Sequence, residues 1–98
     1  MKHVNYIEER DELEVILKES DAPKVVTLDN NIALEFDDDD DLSAIVMPNF
    51  MQMMRVPLPP DSQFVYEGVS FHDKDMILTI KLNEQKINIK CDLSGLEN

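Results

Sequence analysis

The chain has 98 residues, which is the length of one domain, and its 43% hydrophobic content with only 2 glycines is typical of a folded protein. Its 21 acidic residues outnumber its 9 Lys and Arg, so the formal net charge is -12. Because each phosphate contact needs a local cation, this charge opposes direct binding to nucleic acid or to an anionic membrane. It favours a basic protein partner instead.

The chain has a single cysteine, Cys91, which cannot form a disulfide within the chain. One Cys and two His also cannot supply the four ligands of a structural zinc site. No apolar run reaches the roughly 18–20 residues of a membrane-spanning helix, and the first residues lack the apolar core of a signal peptide. The sequence therefore predicts a cytoplasmic protein without a cofactor.

The negative charge is concentrated in the first part of the chain. Residues 1–41 contain 14 acidic and 4 basic side chains, whereas residues 42–98 contain 7 and 5. No Gly- or Ser-rich linker and no repeat separates these regions, so residues 1–98 are predicted to form one domain with one acidic face.

Residues 7–19 have the pattern of an amphipathic helix. Ile7, Leu13, Ile16 and Leu17 fall near one helical face, and acidic residues occupy most of the remaining positions. Pro23 prevents the helix from continuing. The sequence predicts an N-terminal helix here.

The rest of the chain has strand composition. Residues 24–28 and 32–36 are predicted to form a hairpin, because the Asn and Asp residues between them tolerate the positive φ of a tight turn. Apolar and polar residues alternate in several later segments. The predicted fold is therefore α+β, with the N-terminal amphipathic helix packed on a mainly antiparallel meander of about five to six strands. The further predicted strands are 42–47, 63–70, 75–82 and 86–91.

Five consecutive aspartates, Asp37 to Asp41, suggest a calcium loop, because Asp37, Asp39 and Asp41 have the spacing that opens an EF-hand. The pattern then fails, since Leu42 stands where the loop needs Gly and Pro48 where it needs Glu. No metal site is predicted. The run is either a solvated acidic loop, a weak cation binder or an anionic ridge that binds a partner.

The anionic ridge is the preferred interpretation. Alternate carboxylates of an extended segment lie about 6.6 Å apart, which is of the order of the charge spacing along a nucleic-acid strand. The predicted helix would add a second row of carboxylates beside it. The candidate partner-binding carboxylates are Glu8, Asp11, Glu12, Glu14, Glu19, Glu35, Asp37, Asp38, Asp39, Asp40 and Asp41.

A Met-rich segment between prolines is the second unusual feature. Phe50, Met51, Met53 and Met54 either fill irregular gaps in the core or form an adaptable docking patch, because Met side chains are flexible and polarizable. The docking interpretation predicts a partner-binding surface or a homodimer contact. It corresponds to an alternative function, a small adaptor or assembly protein.

Catalysis has little support in the sequence. The only histidines are His3 and His72, and there is no nucleophile elbow, phosphate-binding glycine loop or zinc-protease motif. The polar segment around His72 is explained by a turn between two strands, and Cys91 continues an apolar strand pattern as a buried thiol. The sequence therefore predicts that the protein is not an enzyme.

In composition and charge placement the chain resembles the acidic DNA-mimic proteins used largely by bacteriophages. This resemblance implies an inhibitor whose carboxylates occupy the nucleic-acid-binding surface of a basic DNA-binding protein. A nucleoid-associated protein such as HU is the first expected target, and a repair or defence nuclease is the next. The mechanism would be competition, with electrostatic steering accelerating association.

Overall fold

The computed structural model of the protein describes residues 2–20, 24–28, 31–55 and 62–93. These residues form eight strands, one 3₁₀ turn at Glu8–Arg10 and one short helix, α1, at Phe50–Met54. The strands are β1 (His3–Ile7), β2 (Glu12–Ile16), β3 (Lys24–Thr27), β4 (Ala33–Phe36), β5 (Leu42–Met47), β6 (Phe64–His72), β7 (Asp75–Leu82) and β8 (Gln85–Asp92).

The strands form two antiparallel sheets. The first has five strands in the order β1-β2-β5-β4-β3, and the second is the meander β6-β7-β8. Within the described ranges the longest helix has five residues. The predicted α+β class is therefore wrong, and the protein is mostly β. The same residues contain no helix long and apolar enough to span a membrane.

The predicted helix over residues 7–19 does not form. The segment contains the end of β1, the 3₁₀ turn and β2, and Asp11 between the last two has a left-handed φ of 48°. Leu13 and Val15 are fully buried while their neighbours are only partly buried, which is the period of two of a strand. Pairing of β2 with its neighbour β1 in a local hairpin, and with the distant strand β5, has overridden the helix propensity of the glutamates.

The other predicted strands are present with small shifts at their ends. Residues 24–28 and 32–36 contain the hairpin β3–β4, residues 42–47 are β5, and the C-terminal meander has the predicted order. In the Pro- and Met-rich segment, α1 forms the only regular element among the described residues, and residues 56–61 lie outside the described part of the chain.

One hydrophobic core joins the two sheets. Leu13 and Ile45 from the five-stranded sheet belong to the same buried cluster as Leu78 and Ile80 from the meander. Cys91 on β8 is also fully buried in this cluster, and burial raises the pKa of its thiol. The core therefore covers one face of each sheet and leaves the opposite faces available to solvent.

Candidate acidic binding face

The solvent side of the five-stranded sheet carries three glutamates on or next to strands β2 and β4. Glu14 lies on β2, and Glu35 lies on β4, two strands away and therefore about 10 Å across the sheet. Glu19 follows the end of β2. None of the three makes an ion pair with another described residue. We call these glutamates and the Asp37–Asp41 loop the acidic face.

Strand register places three apolar side chains, which we call the apolar row, in line with Glu35 across the sheet. Ile16 pairs with Ala44, Ala44 pairs with Glu35, and Glu35 pairs with Val25, so the four residues form one row across the outer surface of the sheet. Val25 is 57% exposed. The acidic face thus combines carboxylates with apolar surface, as protein-binding surfaces commonly do.

A cleft of about 330 Å³ opens on this face. Ile16 and Ala44 belong to the row just described, and two carboxylates, Glu19 and Glu35, stand beside them. The complete lining consists of Ile16, Lys18, Glu19, Ser20, Glu35, Ser43 and Ala44.

The aspartate loop connects β4 to β5 and is internally ordered. One carboxylate oxygen of Asp37 accepts hydrogen bonds from the backbone N–H of Asp39 at 3.0 Å and of Asp41 at 2.9 Å. Asp40 has a left-handed φ of 62°, which Asp tolerates better than most residues. The predicted acidic loop is therefore a turn and not an extended row of carboxylates.

Two lysines neutralise part of this loop. Lys18 forms ion pairs with Asp37 and, at 3.3 Å, with Asp41, while Lys24 pairs with Asp40 at 2.9 Å. The hydrogen bond to Lys18 holds the pKa of Asp37 below its usual value, and the bond to Asp37 raises the pKa of Lys18. These pairs could not be predicted from the sequence, because both lysines are distant from the loop along the chain.

The loop therefore presents less free charge than its sequence suggests. Asp38 and Asp39 are exposed and pair with no basic residue in the described part of the chain. Carboxylate oxygens of Asp37, Asp39 and Asp41 lie within 4.8 Å of one another, close enough for one cation. The ammonium group of Lys18 already supplies a positive charge to two of these three carboxylates.

The remaining predicted carboxylates lie at the opposite end of β2 and do not join the acidic face. Glu8 is exposed on the 3₁₀ turn, and Glu12 forms an ion pair with Arg10 at 3.5 Å. The sequence predicted a second row of carboxylates on the solvent-facing turns of a helix, formed by Glu8, Glu12 and Glu19 with Asp11 and Glu14 beside them. This row is absent because the helix is absent.

Asp11 serves the fold rather than the surface. One of its carboxylate oxygens accepts hydrogen bonds from the Tyr6 hydroxyl at 2.6 Å and from the backbone N–H of Met51 at 2.9 Å, and its carbonyl accepts from the N–H of Phe50. Burial alone raises the pKa of Asp11, but the bonds from Tyr6, Met51 and Gln52 outweigh it and lower the pKa below its usual value. Asp11 thus fixes α1 to the turn before β2.

The Met-rich segment divides between core and surface. Phe50 is 1% exposed and packs with Tyr6 and Phe64, with ring centroids 5.8–6.1 Å apart, so it belongs to the core. Met51 is half-buried and Met53 is 37% exposed. The side chain of Met54 lies outside the described part of the structure. Phe50 is therefore unavailable as a partner contact in the folded protein.

The solvent side of the meander differs in charge from the acidic face. Lys81 and Lys86 are paired in register on neighbouring strands, and Lys90 lies farther along β8 on the same side, where it forms an ion pair with Asp75 at 3.4 Å. The charge asymmetry predicted along the chain is therefore also an asymmetry between the two sheets.

Comparison of the chain with protein-family models, with curated proteins and with solved structures yields no match. The chemistry of the acidic face therefore has to be inferred from its own geometry. Carboxylates beside apolar side chains can bind cationic groups and exclude part of their water.

Proposed function

We propose that the protein is an acidic inhibitor that occupies the nucleic-acid-binding surface of a basic DNA-binding protein. One observation carries this proposal: Glu14, Glu19 and Glu35 lie on one solvent face without described ion pairs, and the loop that follows β4 adds the exposed carboxylates of Asp38 and Asp39. Lys and Arg side chains that hold phosphates would find carboxylates there in place of phosphates.

The apolar row supports a protein partner over a simple cation. Val25 and Ile16 border the carboxylates and offer surface whose burial favours association. Long-range attraction between the acidic face and a basic partner would accelerate encounter, while the apolar contacts would fix the orientation of the two proteins.

The test is displacement of DNA from a basic protein. A fluorescein-labelled duplex is bound to a nucleoid protein of the HU type, and in parallel to a basic repair nuclease and a basic restriction enzyme, and the acidic protein is titrated in. We expect release of the duplex from one of them at low ionic strength, with the effect weakening as salt is added.

A matched pair of variants locates the effect. The triple variant Glu14→Gln, Glu19→Gln, Glu35→Gln removes three charges from the acidic face, whereas Glu8→Gln, Glu9→Gln, Glu84→Gln removes three exposed charges elsewhere. Loss of about 2 kcal/mol of binding would weaken displacement roughly thirtyfold in the first variant only. Equal displacement by both variants, or release from none of the three proteins by the wild type, would refute the proposal.

A further inference from the structure

Resting on the proposed function, a more specific inference concerns the cleft beside β2. We infer that it receives one arginine side chain of the basic partner and prefers arginine to lysine. Three properties of the cleft favour an arginine side chain: its carboxylates, its apolar surface and the position of Lys18.

The two carboxylates of the cleft have no described cation. Glu19 and Glu35 both line it, and neither forms an ion pair within the described ranges. A guanidinium group presents five N–H donors in a planar fork that matches carboxylate oxygens, so it can bond one glutamate in bidentate fashion. An ammonium group provides only a point charge.

The apolar surface of the cleft favours the same group. Ile16, which is partly exposed, supplies this surface, and it is adjacent in register to Ala44 on the outer side of the sheet. Ala44 is only 4% exposed, and its methyl group leaves space between Ile16 and Glu35. Guanidinium is less strongly hydrated than ammonium and packs its flat face on apolar surface at lower cost. The cleft volume of about 330 Å³ also falls at the lower end of the roughly 300–1,000 Å³ range of ligand pockets.

Lys18 lines the cleft, yet its charge is directed to another site. Its ammonium group is held by Asp37 and Asp41 on the neighbouring loop. The aspartate loop therefore keeps an internal cation away from Glu19 and Glu35. This gives Asp37 a positioning role: without its carboxylate, Lys18 is released to compete for the cleft.

The test compares nona-arginine with nona-lysine peptides at equal ionic strength by isothermal titration calorimetry. For the wild type we expect nona-arginine to bind about fivefold more tightly, the gain of one well-oriented pair. Glu35→Gln should reduce this ratio to near one. Glu9→Gln, which removes an exposed charge on the 3₁₀ turn, should leave it unchanged.

Two further variants separate cleft binding from general charge attraction. Ala44→Leu fills the cleft without changing any charge and should lower the arginine preference, with backbone amide spectra checking that the fold persists. Asp37→Asn should lower it as well by releasing Lys18. If Ala44→Leu is folded and keeps the full preference, the cleft is not the arginine site.

The outcomes distinguish this inference from the proposed function. Equal binding of both peptides by the wild type, with DNA displacement intact, would overturn the arginine cleft and leave the inhibitor proposal standing. Failure to bind either peptide together with failure to displace DNA would refute both. An arginine preference lost in Glu35→Gln and retained in Glu9→Gln supports the cleft.

Discussion

The carboxylate of Asp11 connects three segments that are distant along the chain: β1 through Tyr6, the turn before β2, and α1 through Met51. Replacing it with alanine leaves a phenol and a backbone N–H without their partner. Each such loss costs about 1–3 kcal/mol when the group is shielded from water. The charge pattern of the sequence gave no sign of this role, because it depends on contacts made only after β2 has paired.

The first prediction is that Asp11→Ala lowers the free energy of unfolding by about 2–4 kcal/mol, measured by urea denaturation. Asp73→Ala is the matched control, because Asp73 also has a left-handed φ, 57° against 48°, but is exposed. Asp73→Ala should lower the free energy of unfolding by only about 1 kcal/mol, because alanine is less favourable than aspartate in the left-handed conformation. Equal losses in the two variants would show that the hydrogen bonds of Asp11 contribute nothing.

The Tyr6–Asp11 pair predicts opposite effects in acid and alkali. Asp11 has a lowered pKa when folded, so its stabilisation is complete above the pKa of an unfolded aspartate, about 4, and is lost as the pH falls through the folded value. Burial, and next the bond to Asp11, raise the pKa of Tyr6 from 10.0 to about 12. Its stabilisation is therefore complete below pH 10 and is lost as the pH rises towards 12.

The measurement is the urea midpoint as a function of pH. Tyr6→Phe should reduce the decline between pH 10 and 12, to which Tyr66 and Cys91 also contribute because burial raises the pKa of each, and Asp11→Asn should flatten the decline in acid. The difference in tyrosinate absorbance between the wild type and Tyr6→Phe should place the titration of Tyr6 well above pH 10. An unchanged alkaline limb in Tyr6→Phe would contradict the assignment.

Glycine is missing from a turn that favours it and present in a strand that does not require it. Asn83 and Glu84 connect β7 to β8 with φ values of 50° and 74°, the signs of a type I′ turn. Gly68 in β6 has no positive φ, and a Cβ added there would meet nothing within 4 Å.

These observations predict two stabilising substitutions. Glu84→Gly relieves a left-handed residue and should raise the free energy of unfolding by about 0.5–1 kcal/mol. Gly68→Ala should raise it by about 0.4–1 kcal/mol, because alanine restricts the unfolded chain. The sites lie apart on β6 and the β7–β8 turn, so the gains should add in the double variant. A loss of stability in either single variant would count against the turn or strand geometry described.

The N-terminal segment explains which elements were predictable from the sequence. The C-terminal strands have local alternation, such as Leu78 and Ile80 facing the core, and were predicted correctly. Residues 12–17 fit a helix and a strand equally well. Leu13, Ile16 and Leu17 have the spacing of one helical face, whereas Leu13 and Val15 have the alternation of a strand. Pairing with β5, which is about 30 residues away, decides between the two, and no local pattern contains that information.

The acidic character of the protein was predictable from the sequence, but the arrangement of its charges was not. The sheet order β2-β5-β4 brings Glu35 beside Glu19, and strand pairing also brings Lys18 and Lys24 to the aspartate loop. These neighbours depend on topology. Consequently the sequence overestimated the free charge of the loop and did not predict the cleft.

The net charge of -12 predicts that added salt stabilises the protein. Salt screens the repulsion among the carboxylates and so stabilises the fold. It also weakens the ion pairs of the exposed lysines, but these contribute little to stability. We expect Tm to rise as NaCl is increased from about 0.01 to 0.15 M, the range over which the screening length shortens most. The triple Glu14, Glu19, Glu35 to Gln variant should have a higher Tm at low salt and a smaller rise. A fall in Tm with salt would mean that the ion pairs dominate.

Cys91 is the only thiol in the chain and is fully buried near the end of β8, an edge strand of the meander. A sulfhydryl reagent can reach it only when the structure around it opens, by local separation of β8 or by global unfolding, so the rate of modification in native buffer records how often that opening occurs. When the reagent is in excess and modification outpaces reclosure, that rate equals the opening rate constant itself. Modification of Cys91 therefore measures the rate of this opening under native conditions, without denaturant, heat or an engineered label.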